Sequence, residues 1–388
     1  MSDVLRDTTA ETTLAAAPAP VPTPIAGRSL WLDAWLRLRG NRMAVGSIAY
    51  VILVTLACLV GPLFTGHPFD AIYQSYVRVP PSLEAYPRPP EYEADIKEAL
   101  KRARVDLVSW KQQEDGRLLL TVKGSSAVDE RVTRYVDRSD AFRDTKVEEK
   151  SADGLTLSMS TSIAPKYFLL GTDTSGRDLL TRTLIAGRVS LAIGLLAGFV
   201  AVVIGVLYGS VSGLIGGRTD EIMMRIVDIL YSLPFTFFVI MLVVFFGRNF
   251  VLMFVAVGAV LWLDMARIVR GQTLSIKRQE YVQAAEALGV GRTGILKRHI
   301  VPNILGPIII YVTLLIPQVI ILESFLSFLG LGVQEPMSSW GVQISSGSRN
   351  IEGAAYLLLV PSFFLTTTLF ALNFIGDGLR DALDPKDR

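Results

Sequence analysis

Six blocks of apolar sequence, each long enough to cross a bilayer, govern what this chain can become. They occupy residues 43–64, 189–215, 222–246, 250–268, 304–322 and 354–375. About 20 apolar residues in a helix span a hydrocarbon core of about 30 Å. Inside lipid an isolated segment satisfies its own backbone hydrogen bonds only as a helix. The blocks therefore predict an all-α polytopic membrane protein with six transmembrane helices. The overall composition agrees, with 51% hydrophobic residues, above the usual soluble domain. Arg225, Asp228 and Asp264 intrude near the ends of the third and fourth blocks, and Gly247-Arg248-Asn249 is the sole break between those two, a tight hairpin.

Positive charge sets the expected orientation. Arg28, Arg37, Arg39 and Arg42 precede the first block. Arg270, Lys277, Arg278, Arg292, Lys297 and Arg298 fill the loop before the fifth, and Arg380, Lys386 and Arg388 follow the last. The alternate short loops carry Arg248 and Arg349. Both termini then lie in the cytoplasm and the long 65–187 segment lies outside it. Residues 1–28, rich in Ala, Pro and Thr and without an apolar stretch, read as a disordered cytoplasmic tail rather than a signal peptide. Residues 29–42 (SLWLDAWLRLRG and the two that follow) pair Trp31 with Trp35 and Asp33 with Arg37 at helical spacing. They suit an interfacial amphipathic helix or an extension of the 43–64 span. Residues 377–388 read as a cytoplasmic tail.

The 65–187 segment is expected to hold a small α+β or irregular lobe. Pro80, Pro81, Pro87, Pro89 and Pro90 open it in extended conformation. A helix is predicted over 91–113 with Ile96, Leu100 and Ala103 on one side, and strands over 117–123 and 154–159. A solvated decoration is its default role. At its end, LGTDTSGRDLL (170–180) admits two readings. An Asp-rich, Gly-containing loop can hold a cation or phosphate. Alternatively the chain turns at Gly171 and Gly176 and starts a helix that Asp173, Ser175 or Asp178 caps.

Between the fourth and fifth blocks lies EYVQAAEALGVGRTGILKRHIVPN (280–303). Tyr281, Ala284, Ala285 and Leu288 follow the i, i+3, i+4, i+7 rule and share a predicted helix face. Gln279, Gln283 and Glu286 lie opposite. Gly289 falls where the helix must stop, a position where positive φ is cheap only for glycine. A second helical run is predicted over 293–299, before Pro302 marks the return to apolar sequence. An alanine-rich helical hairpin suits the close approach of another protein; the plain alternative is an amphipathic surface helix.

This segment resembles the "EAA" loop of the membrane subunits of bacterial ABC importers. That pattern is Glu-Ala-Ala-x-x-x-Gly followed further on by Ile-x-Leu-Pro. Ala284, Ala285, Gly289 and Pro302 match it, while Gln283 stands where Glu is usual, His299 replaces Ile and Val301 replaces Leu. LKRHIVPNILG (296–306), the 170–180 segment, LESFLSFLGLGVQEPMSSW (322–340) and NFIGDGLRDALDPKDR (373–388) are similar to the peptide and nickel branch, specifically the oligopeptide/dipeptide "C" permeases. The resemblance covers 29–65 and 165–388; the 80–160 stretch is longer than that family leads one to expect. It implies the type I ABC importer fold over 188–376, with 271–303 as an ATPase-coupling loop. Glu280, Tyr281, Gln283, Ala284, Ala285, Leu288, Gly289, Arg292 and Pro302 would form the coupling surface. The implied partners are a homologous second permease, two cytoplasmic ATPases that carry ATP and Mg, and an extracytoplasmic substrate-binding protein. The implied cargo is a peptide.

The rest of the sequence limits the chemistry. No G-x-x-x-x-G-K-[ST] loop is present, so nucleotide hydrolysis would occur on another chain. With two histidines, His67 and His299, and one cysteine, Cys58, neither a zinc cluster, a catalytic triad nor an internal disulfide is indicated, and no cofactor is expected. A net charge of +2 implies no attraction to nucleic acid. Embedded charge is costly, about 2.5–3.5 kcal/mol at a helix centre on insertion scales. Asp228 is expected to pair with Arg225 and Asp264 with Arg267. Glu323, without a partner in sequence, would face the path or the second permease, and all three acids are candidates for path or interface roles. The repeated Gly194, Gly198, Gly205, Gly209 and Gly213 predict close helix packing. Two other classes stay open. A secondary transporter or channel subunit would need a polar midplane site at paired broken helices. A membrane sensor would bind ligand in the 65–187 lobe.

Overall fold

The computed structural model describes residues 30–247 and 250–383. The expected N-terminal tail, the Arg248-Asn249 half of the hairpin and residues 384–388 lie outside the described residues.

The chain opens with α1 (Leu30–Gly40) and α2 (Arg42–Val60). These are two helices rather than one. Asn41 takes an extended backbone, and its side chain accepts hydrogen bonds from the amides of Met43 and Ala44 at 3.1 and 3.2 Å. That is a helix N-cap, worth about 1 kcal/mol over alanine. Ala34 and Leu38 of α1 are buried against Ala44 and against Ala382 of α13 (Tyr356–Leu383). The last helix therefore runs through most of the segment expected as a tail, because Leu379, Ala382 and Leu383 have an apolar partner in α1.

Between α2 and α5 (Leu179–Ile215) lies a compact α+β lobe. Short strands β1 (Ala85–Tyr86) and β6 (Lys166–Tyr167) pair antiparallel at its base. The main sheet comprises β2 (Val105–Gln112), β3 (Leu118–Gly124), β4 (Phe142–Lys150) and β5 (Thr156–Ile163), in the antiparallel order β2-β3-β5-β4. Alternation puts Leu118, Leu120 and Val122 on the buried face beside Leu157 and Met159. Ile96 and Leu100 of α3 (Tyr92–Lys101) and Val132 and Val136 of α4 (Val132–Asp137) pack into the same core. The predicted strands are present. The predicted 91–113 helix is half that length: Arg104 turns the chain at φ 56° and VDLVSW, β-branched and aromatic, continues as β2.

The membrane-type helices form the rest. Among the described residues four helical stretches are long and apolar enough to cross a bilayer: Arg42–Leu63, Leu179–Ile215, Arg292–Phe328 and Tyr356–Leu383. The third expected span is not straight. It is α6 (Gly217–Ser232) and α7 (Phe235–Phe246), and the two apolar runs meet at 85°. Pro234 causes the break. It lacks an N–H and forces Leu233 out of the helical region, to φ −76° and ψ 130°. If the bent pair counts as one span, the total is five. The fourth expected block lies in α8 (Phe250–Lys277), whose later turns carry Asp264, Arg267 and Arg270.

Helix α8 packs along α5 through the glycine row. A Cβ on Gly205 would stand 2.5 Å from the Met265 Cβ, and one on Gly213 would stand 2.9 Å from the Thr273 Cβ. The missing side chains are what allow the two backbones to approach. Further along α5, Gly194 and Gly198 meet Ile320, Ile316 and Leu315 of α11 (Val301–Phe328).

Candidate coupling loop and embedded charges

The loop between α8 and α11 is a helical hairpin. Helix α9 (Glu280–Ala287) ends at Leu288, and Gly289 adopts φ 82°. The Val290 amide donates to the Ala285 carbonyl at 3.1 Å and the Gly289 amide to Glu286 at 3.0 Å, the Schellman pattern. Helix α10 (Arg292–Ile295) follows, then a wider π turn over Leu296–Ile300, and Pro302 sits in the first turn of α11. The missing Pro302 N–H costs nothing there.

The expected helix face is divided by this geometry. Ala285 is buried, with Val282 beside it on the same side. Val282 packs with Ile295, Ile300 and Ile304, which holds the hairpin to the helices behind it. Tyr281, Ala284 and Leu288 face outward, as do Glu280, Gln283 and Arg292. Leu288 is 85% exposed, a large apolar side chain with nothing of this chain over it. Val282 lies off the predicted face through Tyr281, and its i, i+3 relation to Ala285 is the local signal that points to it.

Behind the hairpin, Arg270 of α8 grips Asp220 of α6 with both arms, Nε to Oδ1 and Nη2 to Oδ2 at 2.6 Å each. Ser212 of α5 donates its hydroxyl to the same carboxylate. Lys277 donates to the Leu214 carbonyl at 2.6 Å. Asp220 and Ser212 are absent from the sequence expectations, since nothing local joins residues of three helices.

The acids of the expected spans are partnered differently from expectation. Arg267 pairs with Asp228 at 2.8 Å across two helices and lies over the Tyr231 ring at 4.4 Å. The expected pairs Asp228–Arg225 and Asp264–Arg267 do not form. A neighbouring helix brings Asp228 nearer to Arg267 than its own helix brings Arg225. Asp264 accepts no hydrogen bond from any described residue. Glu323 is fully buried within this chain. It accepts from Ser339 at 2.6 Å, from Ser327 at 2.7 Å and more weakly from Ser190 at 3.4 Å. It joins α11 to α5 and to the start of α12 (Trp340–Ser348), covered on all sides by this chain.

The 170–180 segment takes the capping reading. Asp173 Oδ1 accepts the Ser175 and Arg177 amides at 2.8 and 2.9 Å, and Oδ2 meets Arg177 Nε at 2.9 Å and Arg182 Nε at 3.3 Å. Asp178 caps α5 by accepting the Thr181 amide at 2.7 Å. Gly171 and Gly176 turn at φ 80° and 81°. Arg177 also reaches Glu335 at 2.7 Å, and that hydrogen bond holds the Glu335 carboxyl below its usual range.

Known proteins match this arrangement over most of its length. The family described as "Binding-protein-dependent transport system inner membrane component" matches residues 189–388, from within α5 onward and including the hairpin. A second family, "N-terminal TM domain of oligopeptide transport permease C", matches residues 29–81. The chain belongs to the family of inner-membrane components of binding-protein-dependent transport systems. It is 62% identical over 222 residues to the oligopeptide transport system permease protein OppC of Escherichia coli strain K12, covering 57% of this chain and 73% of that one. Against the dipeptide transport system permease protein DppC of Lactococcus lactis it is 30% identical over 364 residues, covering 92% of this chain and 91% of the other. That longer alignment takes in the lobe.

Proposed function

We propose that this chain is a peptide-translocating permease subunit of an ATP-driven importer. It works in the cytoplasmic membrane beside a homologous second permease, with six spans of the type I importer arrangement and both termini in the cytoplasm. Two separate ATPases hydrolyse ATP with Mg. An extracytoplasmic binding protein delivers the peptide on the side of the lobe. The relatives named for oligopeptide and dipeptide transport support the cargo.

The observation that carries the coupling role is the uncovered Leu288 at the tip of a hairpin whose back is anchored through Val282, which packs with Ile295, Ile300 and Ile304. In this reading Glu280, Tyr281, Gln283, Ala284, Leu288, Gly289 and Arg292 form or shape the contact with an ATPase. Ala285 and Pro302 hold the hairpin to the transmembrane body. ATP-driven closure of the ATPases moves the hairpin, and the anchored helices transmit that motion as a rigid element.

The test is reconstitution of the subunit in proteoliposomes with its second permease, ATPases and binding protein. Peptide uptake and peptide-stimulated ATP hydrolysis are expected. Stoichiometric, Mg-dependent ATP turnover by the isolated chain would overturn the assignment.

A further inference from the structure

The break between α6 and α7 opens a cavity of about 410 Å³ against α8 and α11. Most of its wall is apolar, contributed by Leu233, Phe238, Val260, Leu263 and Leu322. Two features give this apolar space a negative end. One is the C-terminal turn of α6, Leu230 to Ser232, which lines the cavity where Pro234 stops the helix. A helix C-terminus carries about half a unit of negative charge. The Leu230 carbonyl, denied a donor by Pro234, takes only a long 3.3 Å hydrogen bond from Leu233. The other is Asp264, which lines the same cavity from α8. Asp264 has no hydrogen bond or ion pair among the described residues. Arg267, one turn along α8, is committed to Asp228 and to the Tyr231 ring.

Arg267, one turn away, acts on Asp264 through its charge but makes no direct ion pair with it, and the ammonium group of the transporter's own cargo can supply that direct partner. We propose that Asp264 and the C-terminal turn of α6 form a transient subsite for the α-ammonium group of a translocating peptide, with the first side chain of the peptide against the apolar wall. The space suits this end of a peptide: pockets of about 300–1,000 Å³ enclose small organic ligands. A bare inorganic cation would instead want several oxygen ligands, whereas here most of the lining is hydrocarbon. The inference rests on the peptide-import reading and adds to it a location and a polarity, amino end bound.

The experiment compares one peptide with its N-acetylated form in proteoliposomes holding the complete transporter, with ATP inside and saturating binding protein outside. Affinity of the binding protein for each peptide is measured separately. In the wild type the free-amine peptide is expected to be translocated faster than its acetylated form once capture is accounted for. Asp264→Asn should cut the rate for the free-amine peptide about tenfold and leave the acetylated rate within twofold. Asp264→Glu should recover part of the loss. Equal loss for both peptides, an unchanged rate ratio, or loss of the second permease on purification of Asp264→Asn would overturn the subsite and make Asp264 a structural or interface residue. Absence of any peptide uptake by the wild-type complex would instead sink the peptide-import reading itself.

Discussion

Arg270 and Asp220 meet end-on, two nitrogens to two oxygens at 2.6 Å, and thereby tie the helix that leads into the hairpin to the helix that follows the glycine-lined α5. Asp220 is nearly buried, whereas the Arg270 side chain keeps 35% of its surface exposed. Solvent therefore screens the pair in part, and its worth lies between the exposed and buried extremes. The pair also closes the loop of contacts α5–α6–α8 on the side where Lys277 caps the end of α5.

Arg270→Gln and Asp220→Asn should each destabilise the subunit by about 2 kcal/mol, and the double variant by clearly less than their sum, with a coupling of about 1 kcal/mol. Denaturation in mixed micelles measures all four proteins. Additive losses would mean that the two side chains act independently despite their geometry.

Asp95 on α3 gives the lobe a pH dependence. Its Oδ2 is buried without a hydrogen-bond partner, and burial, reinforced by the nearby Glu91, lifts its pKa to about 6. The ordinary value is about 3.9. The folded lobe thus holds this proton more tightly than the unfolded chain does. The contribution is fully present below about pH 4, is lost as pH rises through 6, and is flat above. Asp95→Asn should raise hydrogen-exchange protection of β3 at pH 7, after correction for intrinsic rates, and change it little at pH 4. A gain of equal size at both values would remove Asp95 titration as the cause.

Much of this architecture was legible in the residues because the informative signals were local. Block length located the long helices, Gly289 located the end of α9, and Asp178 located the start of α5. What failed was what depends on neighbours distant in sequence. Leu379 and Ala382 continue α13 only because Leu38 and Ala34 cover them. Arg267 chose Asp228, thirty-nine residues away, over the acid on its own helix. Glu323 found serines on α5 and before α12, and only Ser327, at i+4, was visible beforehand. The 91–113 helix failed for a local reason: its apolar positions fit a helix as far as Leu100, but the β-branched run beyond fits a strand better.

The side of the membrane on which the lobe lies can be read chemically. Ser109 on β2 is exposed and serves as the reporter position. Cys58, the single native thiol, is buried against Gly187 and is removed conservatively as Cys58→Ala. In that background Ser109→Cys should react with a membrane-impermeant thiol reagent in intact spheroplasts. Reaction only after permeabilisation would place the lobe in the cytoplasm and invert the topology.

The hairpin separates two effects that a sequence reading merges. Gly289 sits at φ 82° with nothing within 4 Å of the position a Cβ would take. Gly289→Val therefore acts through backbone strain alone, about 1–3 kcal/mol, while Gly289→Asn, which tolerates this region, should act far less. Ala285 is buried against the same chain, so Ala285→Trp would force the hairpin off its own support before it met any partner. Leu288 is the opposite case. Its side chain is exposed, so Leu288→Asp should leave thermal stability within about 0.5 kcal/mol, the usual range for a surface change. If the tip docks into an ATPase, that substitution should still weaken ATPase co-purification and peptide-stimulated hydrolysis at least tenfold. Peptide capture by the binding protein should be unaffected. The discriminating result is the pairing of stability with coupling: Ala285→Trp loses both, Leu288→Asp loses coupling alone. Wild-type coupling in Leu288→Asp would mean that the exposed tip contacts no ATPase, and α9 would then be an ordinary surface helix.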